Sequence, residues 1–210
     1  MVEQMHEELD YPTFKYGNQE IEYLKSRDKK LGAAIEQIGM INRRIIPDPF
    51  TALVTSVISQ QISSKAAETV NKKFIALISN ITPENIDMTP LSSIQQCGMS
   101  QRKAEYIKGI ATAAILGQVD FKALPTLPDD EIVHHLTSLR GVGLWTAEML
   151  LIFSLCRPDV VSYKDLAIVR GMMNLYGLKE LSPQQFARYR KRYSPYGSVA
   201  SLYLWALSVM

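Results

Sequence analysis

The sequence predicts an all-α fold, and three observations support this class. Apolar residues recur at helical spacing along most of the chain, for example from Asn18 to about Met40. Serine, threonine, aspartate, proline and glycine stand where these helical patterns begin and end. We find no convincing strand pair, internal repeat or low-complexity tract. With 210 residues, 47% of them hydrophobic, the chain can bury a core as one large or two small globular units.

The predicted elements begin with an irregular arm. Residues 1 to 16 are polar, and Pro12 breaks any early helix. The first helical pattern ends before Pro47 and Pro49, and Asp48 between them is placed to cap the next helix.

The middle of the chain continues with an apolar segment, Phe50 to Ile62, that turns polar from Ser59 onward. A buried helix is therefore expected to reach a polar surface there. Further helices are predicted at Lys65 to Ile78, after Thr82-Pro83, at Gln101 to Ile115 behind the cap Ser100, and from Asp129 toward the hairpin described below.

The last part of the chain contains three helix signals. A helix follows Asp165 to about Tyr176 and is stopped by Gly177. Ser182-Pro183-Gln184-Gln185 has the pattern of a capping box, and a final helix runs from about Ser198.

Charge and cysteine content exclude several classes of protein. The net charge is only +2, so a nucleic-acid role must depend on local clusters of basic residues, such as Arg102 and Lys103. The two cysteines, Cys97 and Cys156, are too few for a four-cysteine cluster or a cysteine-rich zinc site. No signal peptide or membrane span is evident, so we expect a reducing compartment and no membrane partner.

The stretch from Leu136 to Gly171 contains the strongest backbone signal. Gly141 and Gly143 flank one valine between two helical patterns, which suits a tight hairpin whose backbone angles are costly for other residues. If the second helix begins near Leu144, the unpaired amides of Val142, Gly143 and Leu144 point out of its N-terminus, where a phosphate is held favourably. The alternative is a simple tight connection between packed helices.

The surrounding motifs resemble a known family. The run L-x-x-L-x-G-V-G-x-W-T-A, followed about twenty residues later by V-S-Y-K-D-L-A, resembles the helix-hairpin-helix DNA glycosylase superfamily. The nearest likeness is to its alkylation-repair branch, the 3-methyladenine DNA glycosylase II group. The runs V-I-S-Q-Q-I-S-S-K-A-A, C-G-M-S-Q-R-K-A-E-Y-I and Y-G-S-V-A-S-L-Y-L-W extend it from about Phe50 to Trp205. Two positions depart from the pattern: Arg140 replaces the usual proline, and Leu144 replaces a common basic residue.

The resemblance implies two helical lobes with an active-site cleft between them. The middle lobe is expected at about 50–145, the second at about 17–49 plus 146–210, and the hairpin at about 136–150. The hairpin would grip the DNA backbone through main-chain amides. We assign the backbone contacts to Arg140, Gly141, Val142, Gly143 and Thr146 of the hairpin and to Lys103 outside it. Lys164, beside Asp165, is either a further phosphate contact or a solvated charge.

The resemblance also implies that Asp165 is the catalytic carboxylate. An alkylated purine carries positive charge and leaves as a neutral base, so one ionised carboxylate can stabilise the oxocarbenium-like sugar and admit water. The alternative is that Asp165 only caps the following helix. Trp145 occupies the position where strand-cutting members carry a lysine nucleophile, so a monofunctional enzyme that leaves an abasic site is expected.

Two further groups of residues follow from the family pattern. Trp145 and Trp205, with Met149, match positions of the pocket that receives the flipped base, although large aromatics on apolar helices are often core. Gln61, with Gln60 beside it, matches the side chain that enters the gap left by the flipped base. The alternative for this pair is an exposed polar loop.

We therefore expect a base-excision glycosylase that acts on alkylated purines in double-stranded DNA. The alternatives are a glycosylase for oxidised or deaminated bases, a non-catalytic DNA-binding module, and a helical protein-interaction domain. We expect a monomer with no cofactor and no side-chain metal site, although the family's hairpin can hold a monovalent cation through main-chain carbonyls. The expected location is the cytoplasm with its nucleoid, or the nucleus in a eukaryote.

Overall fold

The computed structural model describes residues 11–210, and these residues confirm the all-α class. They contain twelve α-helices, a short 3-10 turn and no β-strand, although Thr13 and Arg44 form an isolated bridge. Residues 1–10 of the predicted N-terminal arm lie outside the described residues. Among the described helices, none has both the length and the apolar character needed to cross a membrane.

In chain order the helices are α1 (Asn18–Arg27), α2 (Lys29–Ile38), α3 (Pro49–Ser59), α4 (Ser64–Ile78), α5 (Pro83–Met88), α6 (Leu91–Gln96), α7 (Gln101–Ile115), α8 (Asp129–Thr137), α9 (Leu144–Phe153), α10 (Leu166–Tyr176), α11 (Pro183–Tyr193) and α12 (Gly197–Leu207). Several begin at the predicted caps. Asp48 accepts a hydrogen bond from the Thr51 amide, and the Ser182 capping box is present. Local sequence therefore fixes most helix starts correctly.

The first compact unit comprises Ile45–Leu155 together with Tyr11 and Pro12, and contains α3 to α9. Leu53, Val54 and Val57 of α3 are fully buried, and α9 packs against both α3 and α8. Because of this packing the unit continues to Leu155, whereas the sequence-based boundary of the middle lobe was near residue 145.

The second compact unit comprises Thr13–Arg44 and Cys156–Met210, and contains α1, α2, α10, α11 and α12. Its closest helix pair is α10 with α12. A β-carbon at Gly171 would lie 1.9 Å from the Leu204 carbonyl oxygen, so the two backbones approach to a distance that only glycine allows.

The predicted helical stretch from Asn18 to Met40 is interrupted at Asp28. Its backbone is extended (φ −145°, ψ 106°), so α1 ends and α2 begins there. The Asp28 carboxylate accepts hydrogen bonds from the Lys30 and Leu31 amides and thereby caps α2. The apolar periodicity continues through the break, which is why it did not indicate one.

Candidate nucleic-acid interface and active site

The connection between α8 and α9 is the predicted glycine hairpin. Gly141 has a φ of +90°, and a β-carbon there would lie 2.2 Å from Cδ2 of Tyr106, so this position requires glycine for two reasons. Gly143 differs, because its φ of −97° and ψ of 173° are extended values that other residues adopt. The expectation of unusual backbone angles is therefore confirmed for Gly141 and wrong for Gly143.

The hydrogen bonding of the three amides at the start of α9 agrees with the prediction for two of them. The Val142 amide donates to the Leu139 carbonyl at 3.1 Å, so the expectation that it is unpaired is wrong. No side chain caps α9, and the Gly143 and Leu144 amides have no acceptor within residues 11–210. These two amides and the positive end of the helix dipole form a favourable position for an anion.

Two arginines flank the ring beneath the hairpin. The guanidinium carbons of Arg102 and Arg140 lie 5.5 and 5.8 Å from the Tyr106 ring centroid, and Arg102 Nε also donates to the Tyr106 hydroxyl. Both arginine side chains are exposed. Arg102 belongs to the basic cluster noted in the sequence, but Tyr106 was not predicted, although its i, i+4 spacing from Arg102 in a basic helix was a usable signal.

The α3–α4 junction, residues 60–62, is hydrogen-bonded to the hairpin. Gln60 Nε2 donates to the Gly141 carbonyl at 3.2 Å and to Thr146 Oγ1 at 3.3 Å. Thr146 is only 3% exposed, so its hydroxyl does not reach solvent and instead supports the hairpin through the hydrogen bond from Gln60. Gln61 is the exposed glutamine of the pair, and its φ of 57° is an uncommon conformation for a non-glycine residue.

Lys103 supports the same junction. Its ammonium group donates to the Ile58 carbonyl at 2.9 Å and to the Gln60 carbonyl at 2.5 Å, which satisfies carbonyls at the end of α3. Burial lowers the pKa of the Lys103 ammonium group. Its charge therefore stabilises the α3–α4 junction, whereas the prediction from sequence was a contact with a DNA phosphate.

Asp165 is the N-cap of α10 and is 7% exposed. Its Oδ1 accepts hydrogen bonds from the Ala167 amide at 2.8 Å and the Ile168 amide at 3.0 Å. Two amide donors and the positive helix end both stabilise a negative charge at this point. The capping role considered as the alternative is thus present, and it fixes the orientation of the carboxylate.

The remaining candidates differ in exposure. Trp145 lies in the first turn of α9 and is 38% exposed, whereas Trp205 near the end of α12 is half-buried. Met149 is buried, and Lys164 is exposed beside Asp165. Within residues 11–210 no group of three or more histidine, cysteine, aspartate or glutamate side chains is placed to hold a metal ion. The roles assigned to all these site residues remain predictions.

These features define an all-helical protein with a glycine hairpin suited to phosphate and a separate buried, helix-capping carboxylate. Residues 54–195 match the family model described as HhH-GPD superfamily base excision DNA repair protein. The chain therefore belongs to the HhH-GPD superfamily.

Known relatives agree with this assignment. DNA-3-methyladenine glycosylase 1 of Schizosaccharomyces pombe is 36% identical over 166 residues, which cover 77% of this chain and 73% of that protein. Among solved structures, a DNA-3-methyladenine glycosidase from Bacillus halodurans has a TM-score of 0.82 and 34% identity, covering 93% of this chain and 92% of that one. A 3-methyladenine DNA glycosylase from S. pombe, in complex with abasic DNA, has a TM-score of 0.81 and 32% identity, covering 92% and 98%.

Proposed function

We propose that this protein is a DNA glycosylase that removes alkylated purines such as 3-methyladenine from double-stranded DNA. The observation that carries the proposal is Asp165, a buried carboxylate held by two backbone amides at the N-terminus of α10. The names of the similar proteins support both the reaction and the substrate class.

The reaction that we propose breaks the bond between C1′ of the sugar and the base nitrogen. The bonding electrons leave with the base, and because an alkylated purine is cationic, it departs as a neutral molecule with little need of a general acid. The Asp165 carboxylate stabilises the positive charge that develops on the sugar. Water then adds at C1′ and loses a proton, which the same carboxylate can accept, and an abasic site remains.

The hairpin and the α3–α4 junction would hold the DNA for this reaction. In the proposal the Gly143 and Leu144 amides bind a backbone phosphate, with Arg140 and Arg102 adding charge beside it. Gln61 enters the gap that the flipped nucleotide leaves, while Gln60 fixes the junction to the hairpin. Trp145 and Trp205 supply aromatic faces for the extruded base.

We further propose that the enzyme is monofunctional. Trp145 occupies the position where strand-cutting relatives carry a lysine, so no amine is available there to form an imine with the sugar. The test is incubation with methylated duplex DNA followed by two readouts, abasic sites and borohydride-trapped protein. We expect base release without trapping. Absence of base release would contradict the glycosylase assignment, whereas trapped protein would contradict only the monofunctional one.

We also propose a monomer that works where the genomic DNA is, in the cytoplasm with its nucleoid or in a nucleus. The hairpin backbone also has two carbonyl oxygens that are available to a monovalent cation. The Gly141 and Gly143 carbonyls each accept one hydrogen bond, from Gln60 and Ala147, and each carbonyl oxygen has a second lone pair. No step of the proposed reaction depends on such an ion.

A further inference from the structure

The second unit contains a pocket that the proposed reaction does not use. We call it the Asp28 pocket; its volume is about 410 Å³, and it lies where α1, α2, α10 and α11 meet. Four of its seven lining residues are basic and one is acidic. The lining residues are Arg27, Asp28, Lys29, Lys30, Tyr176, Tyr189 and Arg192.

The single carboxylate of this pocket is fully engaged. Oδ1 of Asp28 accepts from two backbone amides of α2, as described above, and Oδ2 accepts from the Tyr176 hydroxyl at 2.5 Å and Arg192 Nη1 at 2.9 Å. The Asp28 side chain is 2% exposed. It therefore offsets one positive charge and holds Arg192, but it presents no oxygen to a ligand.

The remaining positive charge is unusually placed. Lys29 and Lys30 occupy the first turn of α2, where the helix dipole disfavours cations and where α2 has no acidic residue. Arg27 ends α1 just before them. The Asp28 carboxylate at the N-cap offsets part of this cost, but it is a single negative charge beside two lysines and an arginine, so the start of α2 keeps a positive surplus.

Nearby acidic residues do not neutralise the pocket. Glu22 and Glu36, on α1 and α2, both pair with Lys25, at 3.1 and 3.0 Å. Helix α11 has no acidic residue and carries Arg188, Arg190, Lys191 and Arg192. Arg190 pairs with Asp159, but α11 otherwise adds to the positive surplus.

Arg192 is held in a fixed orientation. The Tyr176 and Tyr189 rings are stacked, with centroids 3.7 Å apart, and the Arg192 guanidinium carbon lies 5.8 and 5.1 Å from these two centroids. One of its five N–H groups donates to Asp28. A guanidinium whose orientation is already fixed, with exposed lysines beside it, suits a phosphate group, because little side-chain entropy remains to be lost on binding.

We propose that the Asp28 pocket is a second phosphate-binding site, which takes a backbone phosphate of a nucleic acid chain. Arg192 and the trio Arg27, Lys29 and Lys30 would surround the phosphate oxygens, and the tyrosine pair would form an aromatic wall beside them. The choice of DNA as the source of the phosphate rests on the proposed function; a free phosphate or a mononucleotide presents the same chemistry.

The test compares two triple variants with equal loss of charge. Arg27→Ala/Lys29→Ala/Lys30→Ala removes the exposed trio and leaves Arg192, which holds the buried Asp28, in place. Lys15→Ala/Lys73→Ala/Lys122→Ala removes three exposed lysines that do not line the pocket. Affinity for an undamaged duplex is measured by fluorescence anisotropy across a salt series. Loss of one phosphate contact should weaken binding roughly fivefold to tenfold at 0.1 M salt and lower the salt slope by about 0.9.

The control variant should bind within about twofold of wild type, because exposed charges distant from the phosphates are screened. Equal affinities and slopes for the two triple variants would overturn the proposal. In a second arm, inorganic phosphate is titrated into the wild-type protein while the Lys29 and Lys30 amide resonances are followed. Saturable shifts without any loss of DNA affinity in the trio variant would also overturn it, in favour of a small phosphate ligand. Wild-type protein that releases no base would contradict the proposed function alone.

Discussion

Gly141→Ala tests the hairpin geometry most sharply, because two separate penalties are visible at this residue. Its φ of +90° is a conformation that alanine rarely adopts, and the added methyl group would lie 2.2 Å from Cδ2 of Tyr106. The backbone penalty is about 1 to 3 kcal/mol. Displacing a buried ring adds roughly 1 to 3 kcal/mol.

Together these penalties should lower the free energy of unfolding by roughly 2 to 6 kcal/mol, which for a chain of this length lowers Tm by roughly 4 to 24 °C. Thermal unfolding followed by circular dichroism measures the loss. The matched control is Gly143→Ala, because a β-carbon there has no neighbour within 4 Å and the backbone is already extended. Gly143 is the N-cap of α9, and alanine is a poorer cap than glycine, so Gly143→Ala should lower the stability by no more than about 1 kcal/mol.

A double-mutant cycle separates the two penalties at Gly141. In a Tyr106→Ala background the ring is absent, so the Gly141→Ala penalty should shrink to its backbone part, with a coupling of about 1 to 3 kcal/mol. If Gly141→Ala were no more destabilising than Gly143→Ala, the described hairpin geometry would be refuted. If the Gly141→Ala penalty were unchanged in the double variant, the contact with Tyr106 would be refuted.

Further predictions concern Asp28, the two tryptophans and the two glutamines. Burial by itself raises the pKa of Asp28, but hydrogen bonds from Tyr176, Arg192 and Leu31 outweigh burial and lower the pKa below its usual value of 3.8. The unfolded chain therefore takes up a proton first as the pH falls, so the stability that Asp28 contributes above about pH 4 is lost at lower pH. Urea unfolding as a function of pH should show a smaller loss in Asp28→Asn. Trp145→Leu or Trp205→Leu should slow single-turnover release of cationic 3-methyladenine about 2- to 30-fold more than release of neutral hypoxanthine, because an indole face attracts a cation. If the release of both bases slowed by the same factor, the tryptophans would be packing residues. Gln61→Gly retains the left-handed backbone without strain, so stability should be kept while base release falls more on paired than on single-stranded substrate. Equal losses on both substrates would contradict the insertion of Gln61 into the gap left by the flipped base. Gln60→Ala should instead lower the melting temperature, because its hydrogen bonds to the hairpin are lost.

Sequence predicted those parts of the structure that local chemistry determines. The caps at Asp48 and Ser100, the left-handed stop at Gly177 and the start of α9 are all present, because each depends on residues within one helical turn. The position of Asp165 at the start of α10 has the same local origin. The family motifs are short and continuous, so they also could be recognised without a structure.

The features that sequence did not predict depend on residues distant in the chain. The break at Asp28 is stabilised by Tyr176 and Arg192, more than 140 residues away, and no local pattern indicates those partners. Likewise Gln60 bonds the hairpin 81 residues later, and Lys103 bonds the Ile58 carbonyl 45 residues earlier. Tertiary contacts of this kind decide which polar residue is exposed for binding and which one supports the fold.

Base release by Asp165→Asn is the most direct test of the central claim. Asparagine keeps the side-chain oxygen that accepts from Ala167 and Ile168, and it is a good N-cap, so the fold and DNA binding should be retained. It removes the negative charge and replaces the second carboxylate oxygen by an NH2 group. Single-turnover release of 3-methyladenine from a duplex should fall at least about 100-fold, while affinity for the lesion duplex stays within about twofold. Release at near the wild-type rate by a folded, DNA-binding Asp165→Asn protein would contradict the claim that this carboxylate performs the chemistry.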